Sequence, residues 1–164
     1  MENVEIERKW LMEGYPPLAA KAELIQEQGY LSFSPAVRIR KVVAGAGTSY
    51  LLTLKGKGGM ARTEVELPLN EAQFEALRGL LQSPMVQKKM RTYTLPDGHT
   101  LECSCVDEGQ PESFYYAEVE FDSEEEALRF LPPPFLGTEV TKEPEYTMAA
   151  YSRRKAQKAG FGGE

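Results

Sequence analysis

Charged side chains recur at every second position through much of the chain, and this pattern constrains the fold more than any other feature. Period-two alternation indicates β-strands, because successive side chains of a strand point to opposite faces. The first example is Glu5, Glu7 and Lys9, which alternate with Ile6 and Trp10. One strand of this kind is typical of a sheet with one face in solvent.

The alternation extends to like-charged pairs two residues apart, at Arg38 and Arg40, Lys55 and Lys57, Glu64 and Glu66, Lys89 and Arg91, and Glu118 and Glu120. Like charges that share a face of a sheet repel each other. The repulsion is compensated if the sheet closes with its charges inside and its apolar face outside, covered by amphipathic helices. We therefore expect a barrel with a polar tunnel, in preference to an open sheet with a solvated charged face.

The remaining signals predict one α+β domain of antiparallel strands and a few helices. The predicted strands are 3–10, 36–43, 49–57, 61–68, 87–95, 99–106, 114–121 and a short one near 138–141. The predicted helices are a short one at 17–28, and others at 71–82, 124–131 and 145–158. Seven or eight strands would close, or nearly close, into a barrel. We expect the domain to cover residues 1–158 and residues 159–164 to form a flexible tail.

Composition narrows the class of protein further. A net charge of −6 argues against a general nucleic-acid binder. No apolar run reaches the roughly 20 residues of a membrane span, and the N-terminus does not resemble a secretory signal. Cys103 and Cys105 share a strand face, where a disulfide would be strained, so we expect reduced packing residues in a cytoplasmic protein. The only histidine, His99, lies in a predicted turn and is expected at the surface.

The charges expected inside the barrel suit a polyanion bound together with metal ions. The predicted inward set has eight basic and seven acidic groups: Lys9, Arg38, Arg40, Lys55, Lys57, Arg62, Lys89 and Arg91 against Glu5, Glu7, Glu64, Glu66, Glu102, Glu118 and Glu120. Arginine and lysine bind phosphate oxygens. Carboxylates without histidine or thiolate favour Mg²⁺ or Mn²⁺. Two such ions would bring the tunnel to about +5, which matches a fully ionised inorganic triphosphate in magnitude.

An ordered set of segments resembles the CYTH, or triphosphate tunnel metalloenzyme, superfamily. The first is the Glu-x-Glu-x-Lys motif of Glu5–Lys9, and the set spans about residues 3–151. The later segments are Gln28–Leu31, Val37–Arg40, Leu52–Gly58, Arg62–Glu66, Lys89–Arg91, Ala117–Phe121 and Glu139–Thr141 with Tyr146 after it. The resemblance implies an eight-stranded antiparallel tunnel and a triphosphate-processing enzyme that needs one or two divalent ions, Mg²⁺ or Mn²⁺.

The resemblance also suggests roles for individual residues. Glu5, Glu7 and Glu120 would hold one ion, while a second ion or a water would be held by Glu64, Glu66, Glu102 and Glu118. The expected substrate-binding residues are Lys9, Arg38, Arg40, Lys55, Lys57, Arg62 and Arg91. Lys89 is the expected proton acceptor, because a lysine among cations can have a lowered pKa, with Tyr30 as its partner or as a packing aromatic. Lys88 is expected to point away from the tunnel.

One position departs from the family pattern. Many relatives have Glu-x-Asp where this chain has Glu102-Cys103-Ser104. Serine is a poorer metal ligand than aspartate, so the second ion site is expected to be weaker, or rebuilt with Asp107.

Several activities fit these motifs. The resemblance is greatest to inorganic triphosphatases, which cleave triphosphate to pyrophosphate and phosphate. The alternatives are a class IV-type adenylate cyclase, a thiamine triphosphatase and a sensor that binds polyphosphate or nucleotide without turnover. A small-molecule triphosphate is the expected partner, with no nucleic acid or membrane, in a monomer or a homodimer.

Overall fold

The computed structural model describes residues 4–161, which form a closed antiparallel barrel with helices packed outside it. Its eight strands are β1 (Val4–Met12), β2 (Ala22–Phe33), β3 (Ala36–Ala44), β4 (Gly47–Lys55), β5 (Ala61–Leu69), β6 (Val86–Thr94), β7 (Thr100–Val106) and β8 (Phe114–Glu120). The three α-helices of this part of the chain are α1 (Glu71–Arg78), α2 (Glu124–Arg129) and α3 (Met148–Lys158). The α+β barrel predicted from the charge pattern is thus confirmed.

The strands close in the order β1-β5-β4-β3-β2-β6-β7-β8, and every neighbouring pair is antiparallel. Strand β1 closes the barrel by pairing with β5 through Val4–Ile6 and with β8 through Glu7–Met12. A closed barrel leaves no unpaired strand edge, so its interior is reached only from its two ends.

The helix predicted at 17–28 is absent and this prediction was wrong, because residues 17–21 form bends and coil and residues 22–28 belong to strand β2. Strand β2 pairs with β6 over Ala22–Gln28 and with β3 over Ile25–Phe33. Its alternating inward residues are largely uncharged, so the signal that marks the other strands is missing. The intrinsic helix propensity of Ala-Glu-Leu-Ile-Gln-Glu-Gln yields to hydrogen bonding on both sides and burial.

The other elements lie near their predicted positions, with shorter helices. Asn70 and Gln73 form a capping box at the start of α1. Helix α2 starts after the Ser123 N-cap as expected. Helix α3 is preceded by a 3₁₀ turn at Pro144–Tyr146, and the strand expected at 138–141 is reduced to one bridge between Trp10 and Glu139.

The hydrophobic core lies against the outer face of the barrel wall. One cluster packs between β1, β6, β7, β8 and helix α2, and it includes Trp10, Tyr93, Leu101, Val119 and Phe130. Cys103 and Cys105 are buried there or beside it as free thiols. The barrel is therefore inside out, as the charge alternation predicted. Among the described residues, no helix has the length and apolar character that crossing a membrane requires.

Candidate active site

The barrel encloses a cavity of about 1300 Å³ whose wall receives side chains from all eight strands. In the part of the chain that the structure describes, the strands and the turn after β4 supply seven basic and seven acidic residues to it. They are Lys9, Arg38, Arg40, Lys55, Lys57, Arg62 and Lys88 against Glu5, Glu7, Glu64, Glu66, Glu102, Glu118 and Glu120. The tunnel wall is thus formally neutral, in a protein of net charge −6.

Three carboxylates converge at one place on this wall. Glu7 lies directly opposite Glu120 in the β1–β8 ladder, and Glu5 shares the inward face of β1 with Glu7. One oxygen from each of Glu5, Glu7 and Glu120 lies within 4.8 Å of the other two. Three hard oxygen donors at this spacing match the ligands that Mg²⁺ and Mn²⁺ prefer.

The ionisation of this group shows how strongly the carboxylates interact. Burial and the nearby Glu118 charge raise the pKa of Glu7 well above its ordinary value. Burial, together with a hydrogen bond to Glu5 and its charge, raises the pKa of Glu120 to about 8. Burial also opposes ionisation of Glu5, but Lys55 outweighs it and lowers the pKa of Glu5. Two of the three carboxylates therefore hold a proton more readily than an exposed glutamate, because burial and neighbouring carboxylates disfavour their charged forms.

Cations from β4 and β5 face the carboxylates. The Lys55 ammonium lies 3.0 Å from a Glu5 oxygen and 3.4 Å from a Glu64 oxygen. The Arg62 guanidinium lies 3.5 Å from Glu7. These contacts follow from register, because Lys55 is paired with Glu64 across β4–β5 and Arg62 with Glu5 across β1–β5.

The two arginines of β3 form a buried cationic surface deeper in the tunnel. Arg40 donates two hydrogen bonds to Gln28 Oε1, at 2.9 and 2.7 Å. Burial and the neighbouring Arg38 lower the pKa of Arg40 to about 10. Arg38 is 7% exposed, and its Nε has no hydrogen-bond partner within residues 4–161. A buried guanidinium with a free Nε–H donor is suited to binding an anion.

Strand β6 presents Lys88 to the tunnel, and the predicted inward placement of Lys89 and Arg91 was wrong. Lys89 pairs with Glu108 at 3.0 Å and Arg91 with Glu23 at 2.7 Å, both on the outer face. Lys88 is 4% exposed and lines the cavity, followed two residues later by Met90. The β6–β7 ladder places Thr92 opposite Glu102, so only the even-numbered residues of β6 share its inward face.

The positions of Tyr30 and Asp107 decide two further expectations about the site. Tyr30 lies on the tunnel wall opposite Arg38 in the β2–β3 ladder. Its expected partner, Lys89, faces outward, so the two side chains lie on opposite faces of the barrel wall. Asp107 does not line the tunnel, so the expectation that it rebuilds a second ion site was wrong. Its carboxylate accepts hydrogen bonds from Gln87 N, Tyr151 Oη and Lys155 Nζ beneath helix α3.

Sequence reasoning assigned no role in the site to several polar residues of the interior. They are Gln26, Gln28, Thr53, Lys88 and Tyr116, each less than 5% exposed. Most carry no charge, so a search for charges at alternate positions did not select them. Gln26 and Gln28 precede Tyr30 at intervals of two residues, which continues a strand pattern.

Comparison with characterised proteins places the chain in a family. It is 38% identical over 142 residues to the inorganic triphosphatase of Nitrosomonas europaea, covering 87% of this chain and 92% of that protein. It is 34% identical over 149 residues to the inorganic triphosphatase of Acetivibrio thermocellus, covering 87% of this chain and 88% of that protein. The chain belongs to the inorganic triphosphatases of the CYTH superfamily. No family model matches it.

Solved structures agree with this assignment. The crystal structure of an inorganic triphosphatase that is 33% identical matches with a TM-score of 0.64. The match covers 90% of this chain and 93% of that protein. A protein from Pyrococcus horikoshii OT3 shares the fold with a TM-score of 0.65. It is 18% identical, and the match covers 94% of this chain and 99% of that protein. The closed eight-stranded tunnel is thus the architecture of this triphosphatase family.

Proposed function

We propose that this chain hydrolyses inorganic triphosphate to pyrophosphate and phosphate inside the barrel, with the help of Mg²⁺ or Mn²⁺. The observation that carries the proposal is the convergence of Glu5, Glu7 and Glu120 opposite Lys55 and Arg62 in an enclosed tunnel. The characterised relatives are inorganic triphosphatases, which supports the same reaction and substrate.

The carboxylate group fits a hard divalent cation. Its donors are three oxygens within 4.8 Å of one another, and burial together with the closeness of the carboxylates raises the pKa of Glu7 and of Glu120. Glu5, Glu7 and Glu120 would hold the ion. A divalent cation there neutralises charge on the triphosphate oxygens and on the departing pyrophosphate.

The basic residues of the tunnel bind the phosphate oxygens. Arg38 and Arg40 offer planar guanidinium donors at a buried surface, while Lys9 and Lys55 contribute single charges. Lys57 and Arg62 add charge on the wall of the same cavity. Because these donors are already in place on the tunnel wall, they stabilise the charge that develops during phosphoryl transfer.

Lys88 takes the role of proton acceptor that was first expected of Lys89. A water attacks the terminal phosphorus, the bond from that phosphorus to the bridging oxygen breaks, and pyrophosphate leaves. The proton released by the water passes to the Lys88 amine. Full burial, reinforced by the adjacent Arg40 charge, lowers the pKa of Lys88 well below its ordinary value, which favours the neutral amine that this step needs.

The test is to incubate the purified protein with inorganic triphosphate, ATP or thiamine triphosphate under Mg²⁺ and under Mn²⁺, and to resolve the products. We expect inorganic triphosphate to have the highest kcat/KM and to yield pyrophosphate and phosphate. Cyclic AMP formed from ATP faster than triphosphate is cleaved would instead indicate a cyclase. Tight binding of triphosphate without turnover would indicate a sensor.

A further inference from the structure

Tyr116 of strand β8 lies between two lysines of the tunnel wall. Its side chain is 2% exposed and lines the cavity. The Nζ of Lys88 donates a hydrogen bond of 2.5 Å to the Tyr116 hydroxyl. The Nζ of Lys9 lies 4.2 Å from the centroid of the Tyr116 ring, within the range of a cation–π contact. One aromatic side chain thus contacts the amino groups of two lysines, one at its hydroxyl and one at its ring.

The two amino groups need such contacts to keep fixed positions on the tunnel wall. Flexible four-carbon stems would otherwise allow them to move away from each other and from the substrate. The Nζ of Lys9 also donates a hydrogen bond to the carbonyl oxygen of Tyr146, 2.6 Å away, at the 3₁₀ turn.

We propose that Tyr116 is a positioning residue that holds the amino groups of Lys9 and Lys88 at fixed places on the tunnel wall. The inference rests on the proposed function, in which Lys9 binds phosphate and Lys88 accepts a proton. The hydroxyl contacts Lys88 and the ring contacts Lys9. We therefore expect the hydroxyl to affect mainly kcat and the ring to affect mainly KM.

The two halves are separable by substitution. Tyr116→Phe keeps the ring beside Lys9 and removes the hydroxyl that accepts from Lys88. We expect kcat to fall about tenfold, because the hydrogen bond that holds the Lys88 amine in place is lost, while KM changes by less than about twofold. Tyr116→Leu removes the ring as well, and we expect the same loss of kcat together with a rise in KM of about fivefold.

A double-mutant cycle tests whether Tyr116 acts through Lys88. If it does, the double variant Lys88→Met with Tyr116→Phe should turn over no more slowly than Lys88→Met alone, to within about twofold. Losses that multiply in the double variant would overturn the inference, as would a wild-type kcat in Tyr116→Phe.

Phe114→Leu is the matched structural control. Phe114 lies two residues before Tyr116, stacks on it at 5.9 Å between ring centroids, and packs in the same apolar cluster. The Phe114→Leu variant should have a lower thermal unfolding midpoint than the wild type, with little change in kcat. An equal loss of kcat in this control would overturn the inference and leave the proposed function standing. Absence of turnover in the wild type would overturn both.

Discussion

Glu7 is a buried member of the carboxylate group. Its expected role in ion binding can be tested separately from any role in stability. Burial raises its pKa, so its charge disfavours the folded protein when no cation is bound. We expect Glu7→Gln to raise the Mg²⁺ concentration for half-maximal activity by at least about tenfold. The unfolding midpoint in chelator should not fall, because glutamine keeps the shape of the side chain and removes a carboxylate whose charged form burial disfavours.

The measurements are turnover against Mg²⁺ concentration and thermal unfolding with and without the ion. Glu75→Gln, on the exposed face of α1, is the control and should match the wild type in both. An unchanged Mg²⁺ requirement in Glu7→Gln would count against the carboxylate group as the ion site.

Lys88 and Lys89 are adjacent in sequence and lie on opposite faces of the barrel wall. Lys88→Met should lower kcat by roughly 100-fold or more with a smaller change in KM, because a proton acceptor acts mainly in the transition state. Lys89→Met should remain close to the wild type, since Lys89 pairs with Glu108 on the outer surface. Steady-state kinetics of the two variants show which lysine faces the substrate. A large loss of kcat in Lys89→Met and none in Lys88→Met would contradict the register of β6.

At the scale of elements, His99 connects the β6–β7 turn to helix α2. Its Nδ1 lies 2.9 Å from Asp97 and its Nε2 lies 2.9 Å from Glu126. Partial burial disfavours the charged ring, but the hydrogen bonds to Asp97 and Glu126 outweigh it and raise the pKa of His99 above 6.5. A raised pKa means that the folded protein holds this proton more tightly than the unfolded chain.

The stabilisation from His99 is therefore complete below the unfolded pKa near 6.5 and is lost as the pH rises through the higher pKa of the folded protein. We expect His99→Gln to unfold at a lower temperature than the wild type at pH 6, and the difference between them to shrink by pH 9. Thermal unfolding across this range is the measurement. A difference independent of pH would show that only packing against Phe121 and Phe130 matters.

Helix α3 is attached to the barrel through the buried carboxylate of Asp107. Tyr151 and Lys155 of α3 both donate to it, at 2.5 and 2.9 Å, and it also accepts from the Gln87 amide. Asp107→Asn leaves the Lys155 ammonium without its counter-ion and should destabilise the fold by about 3 kcal/mol. Denaturant unfolding measures the loss. The Mg²⁺ requirement should not change, because Asp107 lies outside the tunnel, and a large change in it would contradict this placement.

At the scale of the whole molecule, the tunnel brings a highly charged substrate into a neutral interior. Seven basic and seven acidic residues of the described barrel cancel formally, so protein charges alone do not balance a triphosphate. We expect turnover to vanish in excess chelator and to return with Mg²⁺ or Mn²⁺. Phosphate release with and without chelator is the measurement, and full turnover without a divalent ion would contradict the mechanism.

Much of the barrel and its site followed from the sequence, because charge at alternate positions reports which face of a strand is inward. This held for β1, β3, β4, β5 and β8, where Glu5, Arg38, Lys55, Glu66 and Glu120 all line the cavity as expected. A strand side-chain period of two makes such a prediction independent of how the strands are ordered.

Tertiary structure determined two features that the local charge pattern did not: the inward face of β6 and the existence of strand β2. In β6, both faces carry a lysine, and the charge pattern favoured the face with Lys89 and Arg91 over the face with Lys88. A shift of one residue exchanges the two faces. The ladder with β7, which pairs Thr92 with Glu102, selects Lys88. In β2 the inward residues Gln26 and Gln28 carry no charge, and only hydrogen bonding to β3 and β6 makes this segment a strand. Alternating charge is a local property of the chain, whereas register and pairing depend on contacts between residues far apart in sequence.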